Sequence, residues 1–190
     1  LAALGTEQEF DKVKLFSGFI YRETAVYRRV KKRLEDLFSP VDLESAQFDF
    51  EFTTYYNSEM GVPLYKRFVS FSGLIESVRL PGVKILTDKI EVETAESGNR
   101  VINIDPGYLS NANVILATTK NHYHRVPLQD RIYAHIEYVI KKKNTLTPLE
   151  WTYPDFRSPR YMNFFEELIP IYKKNLKENR SSATSGSVQK

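Results

Sequence analysis

Residues 100–138 read RVINIDPGYLSNANVILATTKNHYHRVPLQDRIYAHIEY. Short apolar stretches alternate here with polar and turn-forming segments, a pattern typical of consecutive β-strands. The DPG segment at residues 105–107 is predicted to be a turn that closes the first strand, and residues 129–131 a hairpin connection between the last two. Alternation along the last strand places Ile136 and Tyr138 on the same face. The predicted strands are residues 100–105, 114–119, 124–128 and 132–141.

The first half of the chain alternates between strand-like and helix-like patterns. Residues 13–21 (VKLFSGFIY) form an apolar run that predicts a buried strand, and an amphipathic helix follows from Thr24 to the Ser39-Pro40 pair. Residues 47–53 (QFDFEFT) alternate as a strand with one aromatic face. Residues 66–71 (KRFVSF) look like the next strand. Residues 82–97 fit either a helix or a strand, and we favour a helix.

This order of elements, β-α-β-β-α-β, is that of the ferredoxin-like arrangement. We therefore expect an α+β fold, with a ferredoxin-like core extended by C-terminal antiparallel strands and a terminal helix. That helix is predicted at residues 159–177, where Pro170 should kink it or place its start later. We expect residues 1–178 to form a single α+β domain and residues 179–190 to form a disordered polar tail.

Composition limits the cellular setting and the partners. The chain has 190 residues, a net charge of +3 and no cysteine, which suits a reducing cytoplasm. No run approaches the ~20 apolar residues of a membrane span, and the first ten residues lack a secretory pattern. We therefore expect a cytoplasmic protein without a membrane partner. The mild positive charge permits an anionic ligand and does not favour nucleic acid. The sequence excludes neither a nucleic-acid partner nor a homo-oligomer.

The candidate site comes from the density of polar residues at predicted strand ends. Lys120 and Arg125 could hold a phosphate or carboxylate, with the hydroxyl group of Thr119 donating to it. An Asp at a strand end often meets a ligand, although turn hydrogen bonds would also explain it. Solvated strand ends explain the two cations equally simply. The candidate ligand-binding residues are Asp105, Tyr108, Thr119, Lys120, His122, His124 and Arg125, with Tyr55, Tyr56 and Asp155 as walls.

The three histidines of the protein allow several interpretations. His122 and His124 would share a face of a continuous strand, and with Asp105 or Asp155 they could hold a metal. One of them could instead act as a general base near neutral pH, or both could be hydrogen-bonded loop side chains. His135, in the middle of a strand, is expected to be packed or to face the surface. The sequence assigns no cofactor.

Six segments together resemble a known family. They are KLFSGFIY (14–21), DFEFTTYYNSEMG (49–61), RVINIDPGYL (100–109), ILATTKNHYHR (115–125), RIYAHIEY (131–138) and WTYPDFR (151–157). Through them the chain resembles the bacterial and archaeal family called domain of unknown function 4416, over roughly residues 13–178. The resemblance implies no known reaction. Some members carry a GTP-binding label, but this chain has no phosphate-binding loop, and Asn121 stands where a guanine-reading motif would have Asp.

Three functions follow as hypotheses. The first is a protein that binds a small anionic or nucleotide-like ligand at the His/Lys/Arg/Asp cluster. The second is a non-enzymatic interaction or oligomerisation module, built through the sheet or through the aromatic loop around Trp151. The third is a metal-dependent hydrolase. Because no recognised catalytic motif is present, the sequence leaves open whether the protein is an enzyme.

Overall fold

The structure is a computed structural model that describes residues 10–185. Its α-helices are α1 (Thr24–Leu37), α2 (Asn57–Met60), α3 (Leu80–Thr94) and α4 (Pro159–Ser185). Its strands are β1 (Val13–Tyr21), β2 (Val41–Glu44), β3 (Phe48–Asp49), β4 (Tyr65–Ile75), β5 (Ile102–Leu109), β6 (Asn113–Thr118), β7 (Val126–Pro127), β8 (Tyr133–Lys141) and β9 (Thr145–Pro148).

Within these residues all nine strands belong to one sheet with the order β2-β4-β1-β5-β6-β8-β7, in which β3 also pairs with β4 and β9 with β8. Every pair is antiparallel. The α+β class is therefore confirmed, as are an antiparallel C-terminal part and a terminal helix. Within residues 10–185, no helix is long and apolar enough to cross a membrane.

Apolar side chains cover both faces of the sheet because successive residues of each strand point to opposite sides. On one side Leu15 and Phe19 of β1 join buried residues of α1 and α3. On the other side Phe16 packs edge-on against Phe165 of α4 with ring centroids 4.9 Å apart. Long helix α4, which continues through Pro170, covers this second face. Aromatic rings supply much of this second core.

The predicted strand at residues 47–53 is largely wrong. The partner of β4 at this edge is mainly β2, and of the predicted residues only Phe48 and Asp49 are in a strand. The alternating aromatic pattern has another cause, because Phe50 leaves the ladder and packs with Met60 and Leu64 in a small separate cluster. The period-two pattern thus spans a two-residue strand and a loop in which Phe50 is buried and Phe52 is exposed.

The predicted Pro-Gly turn at residues 105–107 is also wrong. Strand β5 runs through these residues, with Asp105 opposite Gly18 and Pro106 opposite Ser17 of β1. The ladder to β6 begins only at Gly107, so β5 resembles an edge strand at Pro106, which is where a strand tolerates proline. The chain turns instead after Leu109, where the Ser110 hydroxyl accepts hydrogen bonds from backbone N–H groups.

A third prediction, that Ile136 and Tyr138 share a face, is wrong because the strand has a β-bulge at Glu137. In the β6–β8 ladder Val114 lies opposite Tyr138 and Ile115 opposite Ile136, so Glu137 is the extra residue. Tyr138 consequently joins the core under α4, whereas Ile136 packs on the opposite face. The two side chains do not share a face, and the bulged Glu137 is buried.

Several element predictions are confirmed in outline. The strand at Val13–Tyr21, the helix at Leu80–Thr94 and the hairpin before β8 are present, although β7 is only two residues long. Helix α4 begins at Pro159 and extends to Ser185, which is inside the segment predicted to be a polar tail. Residues 1–9 and 186–190 lie outside the described part of the chain.

Candidate functional site

The sheet opens where β5 and β6 separate. The two strands pair only through Gly107–Leu116, Tyr108–Ile115 and Leu109–Val114, so residues 102–106 have β1 as their ladder partner. A cavity of about 590 Å³ occupies this region. Its walls come from β4, β5, β6 and β8, from α3, and from the loops before α2 and α4. Because β5 and β6 diverge, strand ends and side chains from distant segments of the sequence surround one cavity.

An ion pair between a buried lysine and a partly buried aspartate lines the cavity. Lys66 of β4, with 2% of its side chain exposed, donates a 3.3 Å hydrogen bond to Oδ2 of Asp105. Its ammonium also lies 5.4–5.8 Å from the ring centroids of Phe50, Phe68 and Phe156. Cation–π attraction of this kind partly replaces the water that burial removes. An ammonium has three donors, so the geometry leaves part of its hydrogen-bonding capacity unused.

Asp105 is held in its charged form. Burial alone would raise the pKa of its carboxyl, but the charges of Lys66 and Lys84 hold that pKa below its usual value. Lys84 reaches the site from α3, where it donates to the Ile104 carbonyl at 3.1 Å and pairs with Asp88 at 2.7 Å. Two buried cations therefore share this carboxylate.

The α3 side of the cavity contains a second polar group. Oε1 of Glu91 accepts a 2.6 Å hydrogen bond from the backbone N–H of Ile104. Burial, opposed by the charge of Lys84, raises the pKa of Glu91 to about 7. Arg100 lies 3.6 Å from the same carboxyl group and makes its principal ion pair with Glu59 at 2.7 Å. Glu91 is thus a carboxyl group able to gain or lose a proton near neutral pH.

Aromatic residues form the outer wall. Tyr55 and Tyr56 precede α2 and pack edge to face with centroids 5.0 Å apart, and Phe52 is beside them in the cavity lining. Tyr55 is 60% exposed, and the ammonium of Lys120 lies 4.5 Å above its ring. Lys120 and Thr119 come from the end of β6. The mouth of the cavity therefore combines a flat aromatic surface with an exposed cation.

The three histidines lie in a line beside this cavity. Nδ1 of His122 is 3.0 Å from Nδ1 of His124, and Nε2 of His124 is 3.1 Å from Nδ1 of His135. Nε2 of His135 is 3.1 Å from Oε1 of Glu137, although the angles are not those of a hydrogen bond. Burial and the charge of Arg125 lower the pKa of His135 to about 4, and burial raises the pKa of Glu137 well above its usual value.

Arg125 and two aromatic residues position the histidines. Arg125 donates through Nε to Nδ1 of His135 at 3.2 Å and through Nη2 to the Tyr153 hydroxyl at 2.7 Å. Tyr153 stacks on His135, and Trp151 stacks on His124 at an angle of 8° with centroids 5.0 Å apart. Trp151 also donates to the Ile136 carbonyl at 3.0 Å. The loop before α4 therefore holds the imidazoles in fixed orientations.

The structure brings together part of the predicted set. Tyr108 lies on the opposite face of β5 from Asp105 and packs with Ile115 and Ala117. His124 and Arg125 reach the site through His135, and His122 reaches it through His124. The predicted residues that line the cavity are Asp105, Thr119, Lys120, Tyr55, Tyr56 and Asp155.

Several lining residues were missed by the sequence reasoning, among them Lys66, Lys84, Glu91, Arg100 and His135. For Lys66 a signal existed, because its alternation with Phe68 places a charge on the buried face of a strand. Lys84 similarly lies beside Val83 in a helix segment that is mostly buried. Within residues 10–185, no three His, Asp or Glu side chains are arranged so that they could hold a metal ion.

Fold and site together define an antiparallel α+β protein with a charged, aromatic-walled pocket where its sheet opens. A protein-family model described as "Domain of unknown function (DUF4416)" matches residues 11–172. Because this match covers most of the 190 residues, the chain belongs to that family. No curated protein and no solved structure matches the chain.

Proposed function

We propose that the pocket binds a small anionic, nucleotide-like ligand. The observation that carries this proposal is the state of Lys66: within residues 10–185, its buried ammonium has one hydrogen-bond acceptor, Asp105, at the long distance of 3.3 Å. Burying a cation with incomplete partners costs free energy. An anionic group of a ligand would complete its hydrogen bonds and reduce that cost.

The balance of charge in the pocket also favours an anion. Four cations line it, and two of the four carboxyl groups that face them, Glu91 and Asp155, have a pKa raised mainly by burial. Raised pKa values reduce the negative charge that an incoming anion would meet. The cations are Lys66, Lys84, Arg100 and Lys120, and the other two carboxyl groups are those of Asp88 and Asp105.

The aromatic mouth supports the nucleotide-like part of the proposal. Tyr55 presents an exposed ring next to the cation of Lys120, and Phe52 is 40% exposed beside it. A planar ring stacks on such surfaces while an attached phosphate reaches the deeper cations. A cavity of about 590 Å³ is in the size range of small-molecule sites.

Isothermal titration tests the proposal with inorganic phosphate, nucleoside mono- and triphosphates including GTP, and phosphorylated sugars. We expect at least one of them to bind, and Lys66→Met to abolish that binding. Lys14→Met is the matched control, because Lys14 is equally buried but hydrogen-bonds to Asp42 and Asn175 outside the pocket. Circular dichroism must show both variants folded. No binding by the folded wild-type protein, or equal loss in both variants, would contradict the proposal.

We further propose that β1, α1, β2, β4, α3 and β5 form a ferredoxin-like core. The strand order β2-β4-β1-β5 and the antiparallel pairing support this assignment. An experimental structure superposed on ferredoxin-like domains tests it, and helices on opposite faces of these four strands would contradict it.

We also propose a cytoplasmic location, which the absence of cysteine supports. Cell fractionation followed by immunoblotting tests it, and recovery outside the cytoplasm would contradict it.

A further inference from the structure

The histidines connect the protein surface with the pocket. His122 is exposed, whereas the side chains of His135 and Glu137 are 1% and 0% exposed. The successive contacts His122–His124, His124–His135 and His135–Glu137 measure 3.0, 3.1 and 3.1 Å. His124 uses both of its ring nitrogens in this series, whereas Nε2 of His135 lies close to Oε1 of Glu137 without the angles of a hydrogen bond. A line of three imidazoles therefore runs from solvent to His135, which lines the cavity and lies against the buried Glu137.

Arg125 fixes the direction of the line. Its guanidinium can only donate, so Nδ1 of His135, 3.2 Å from Arg125 Nε, must accept, and the proton of a neutral His135 is on Nε2. Nε2 of His124 faces the same Nδ1 and must therefore carry a proton too. This leaves Nδ1 of His124 bare, so the facing Nδ1 of His122 is the donor. This set of tautomers gives each contact a donor and an acceptor, with the single lone pair of His135 Nδ1 shared between Arg125 and His124.

We propose that His122, His124 and His135 form an oriented proton-transfer chain that gives the pocket acid–base chemistry. The identity of the ligand on which it acts rests on the function proposed above. Nε2 of His122 takes a proton from solvent and its Nδ1 proton passes to Nδ1 of His124. The Nε2 proton of His124 then passes to Nδ1 of His135, and the Nε–H of Arg125 must first move off this nitrogen because it has one lone pair. The Nε2 proton of His135 leaves to Oε1 of Glu137 or to a basic atom of the anionic ligand, and the reverse transfers restore the tautomers.

Packing alone does not explain why His135 and Glu137 are buried at the inner end of the proton-transfer chain. A buried histidine and a buried glutamate are less favourable than apolar side chains of similar volume. Glu137 receives one hydrogen bond, at 3.1 Å, from the backbone N–H of Tyr153, and its charged neighbours are Asp155, Asp105 and Lys66. These surroundings permit Glu137 to hold a proton and to release it when charge in the pocket changes.

Nuclear magnetic resonance of the whole protein with ¹⁵N-labelled histidine tests the proton-transfer chain directly, because the protein has three histidines. At neutral pH we expect protons on His122 Nδ1, His124 Nε2 and His135 Nε2. His124→Phe keeps a flat ring against Trp151 and removes both nitrogens. In this variant His122 should change to the Nε2–H tautomer that free imidazole prefers, whereas Arg125 should hold His135 unchanged. A proton on Nδ1 of His124, or an unaltered His122, would overturn the proposal.

Calorimetry with inorganic phosphate tests the acid–base part. In two buffers of different ionisation enthalpy, wild-type protein should take up a fraction of a proton on binding, and Glu137→Gln should take up less at similar affinity. Equal uptake would overturn this part of the inference. Absence of phosphate binding would count against a phosphate-containing ligand. The nuclear magnetic resonance result would then decide whether the proton-transfer chain exists.

Discussion

The two ends of the sheet treat a buried lysine differently. At the closed end, where β5 and β6 are paired, Lys14 donates to Asp42 and, at 2.7 Å, to Asn175 of α4. The Ser70 hydroxyl donates to the other oxygen of Asp42 at 2.6 Å, which completes the group. At the open end, Lys66 has the single 3.3 Å bond to Asp105 and a cavity in front of it.

This difference distinguishes a buried charge that stabilises the fold from a buried charge that is available to a ligand. Both lysines are in central strands and point to the face that α4 covers, so burial alone does not distinguish them. The number and the length of their hydrogen bonds distinguish the two lysines. A buried cation with two short hydrogen bonds stabilises a packing arrangement, whereas one with a single long hydrogen bond beside a cavity is a place for a ligand.

Gly107, where β5 and β6 begin to pair, should give the largest effect. A Cβ there would lie 2.3 Å from the Ile115 carbonyl oxygen and 2.6 Å from the Phe16 ring. Gly107→Ala must push the strands apart at the closed end, and we expect a loss of about 4 kcal/mol or more in the free energy of unfolding. Urea unfolding measures it. Gly82→Ala in α3, where nothing lies within 4 Å, is the control and should stabilise slightly. An unchanged midpoint for Gly107→Ala would show that the strands are not in close contact.

Replacing each lysine by methionine sharpens the comparison. Lys14→Met leaves the partly buried Asp42 without its cation, so we expect a loss of about 3 kcal/mol. Lys66→Met should cost about 1 kcal/mol, because methionine packs well against the surrounding aromatic rings and Asp105 keeps Lys84. Urea unfolding of both variants against wild type gives the two values. Equal losses would remove the distinction between the ends.

The sequence predicted the polar composition of the open end better than its architecture. A continuous apolar run identified β1 and helical periodicity identified α1, whereas residues 82–97 also fitted a strand and a helix was only favoured for α3. The prediction failed at residues 105–107, where the tolerance of β5 for proline depends on β6 diverging from it. That divergence is a tertiary feature with no local signature. Alternation with Phe68 places Lys66 on a buried face, but only the separation of two distant strands turns this lysine into part of a pocket wall.

The pH dependence of stability tests the α3 side of the open end. Glu91 has an ordinary pKa of 4.5 and a folded pKa of about 7, so between these values the folded state holds a proton that the unfolded state has lost. The contribution of Glu91 therefore falls as pH rises through this window, by about 3 kcal/mol at most. Glu91→Gln keeps an acceptor for the Ile104 N–H and should lack this fall. Urea unfolding of both proteins from pH 4.5 to pH 7 measures the difference, and parallel curves would contradict the assignment.

The smallest effect concerns His124, which the single tryptophan of the chain reports directly. Trp151 stacks on this imidazole, and a protonated imidazole quenches indole fluorescence, so the emission should titrate with His124. Partial burial and then the charges of His135, His122 and Arg125 lower the pKa of His124, so the midpoint should fall below the usual 6.5. His122→Asn removes one of these positive neighbours and should move the midpoint upward by a fraction of a pH unit. Arg131→Gln, on the exposed hairpin connection, is the control and should leave it in place. An unchanged midpoint in His122→Asn would mean that the outer two histidines are not in electrostatic contact, and the open end would then lose its connection to solvent.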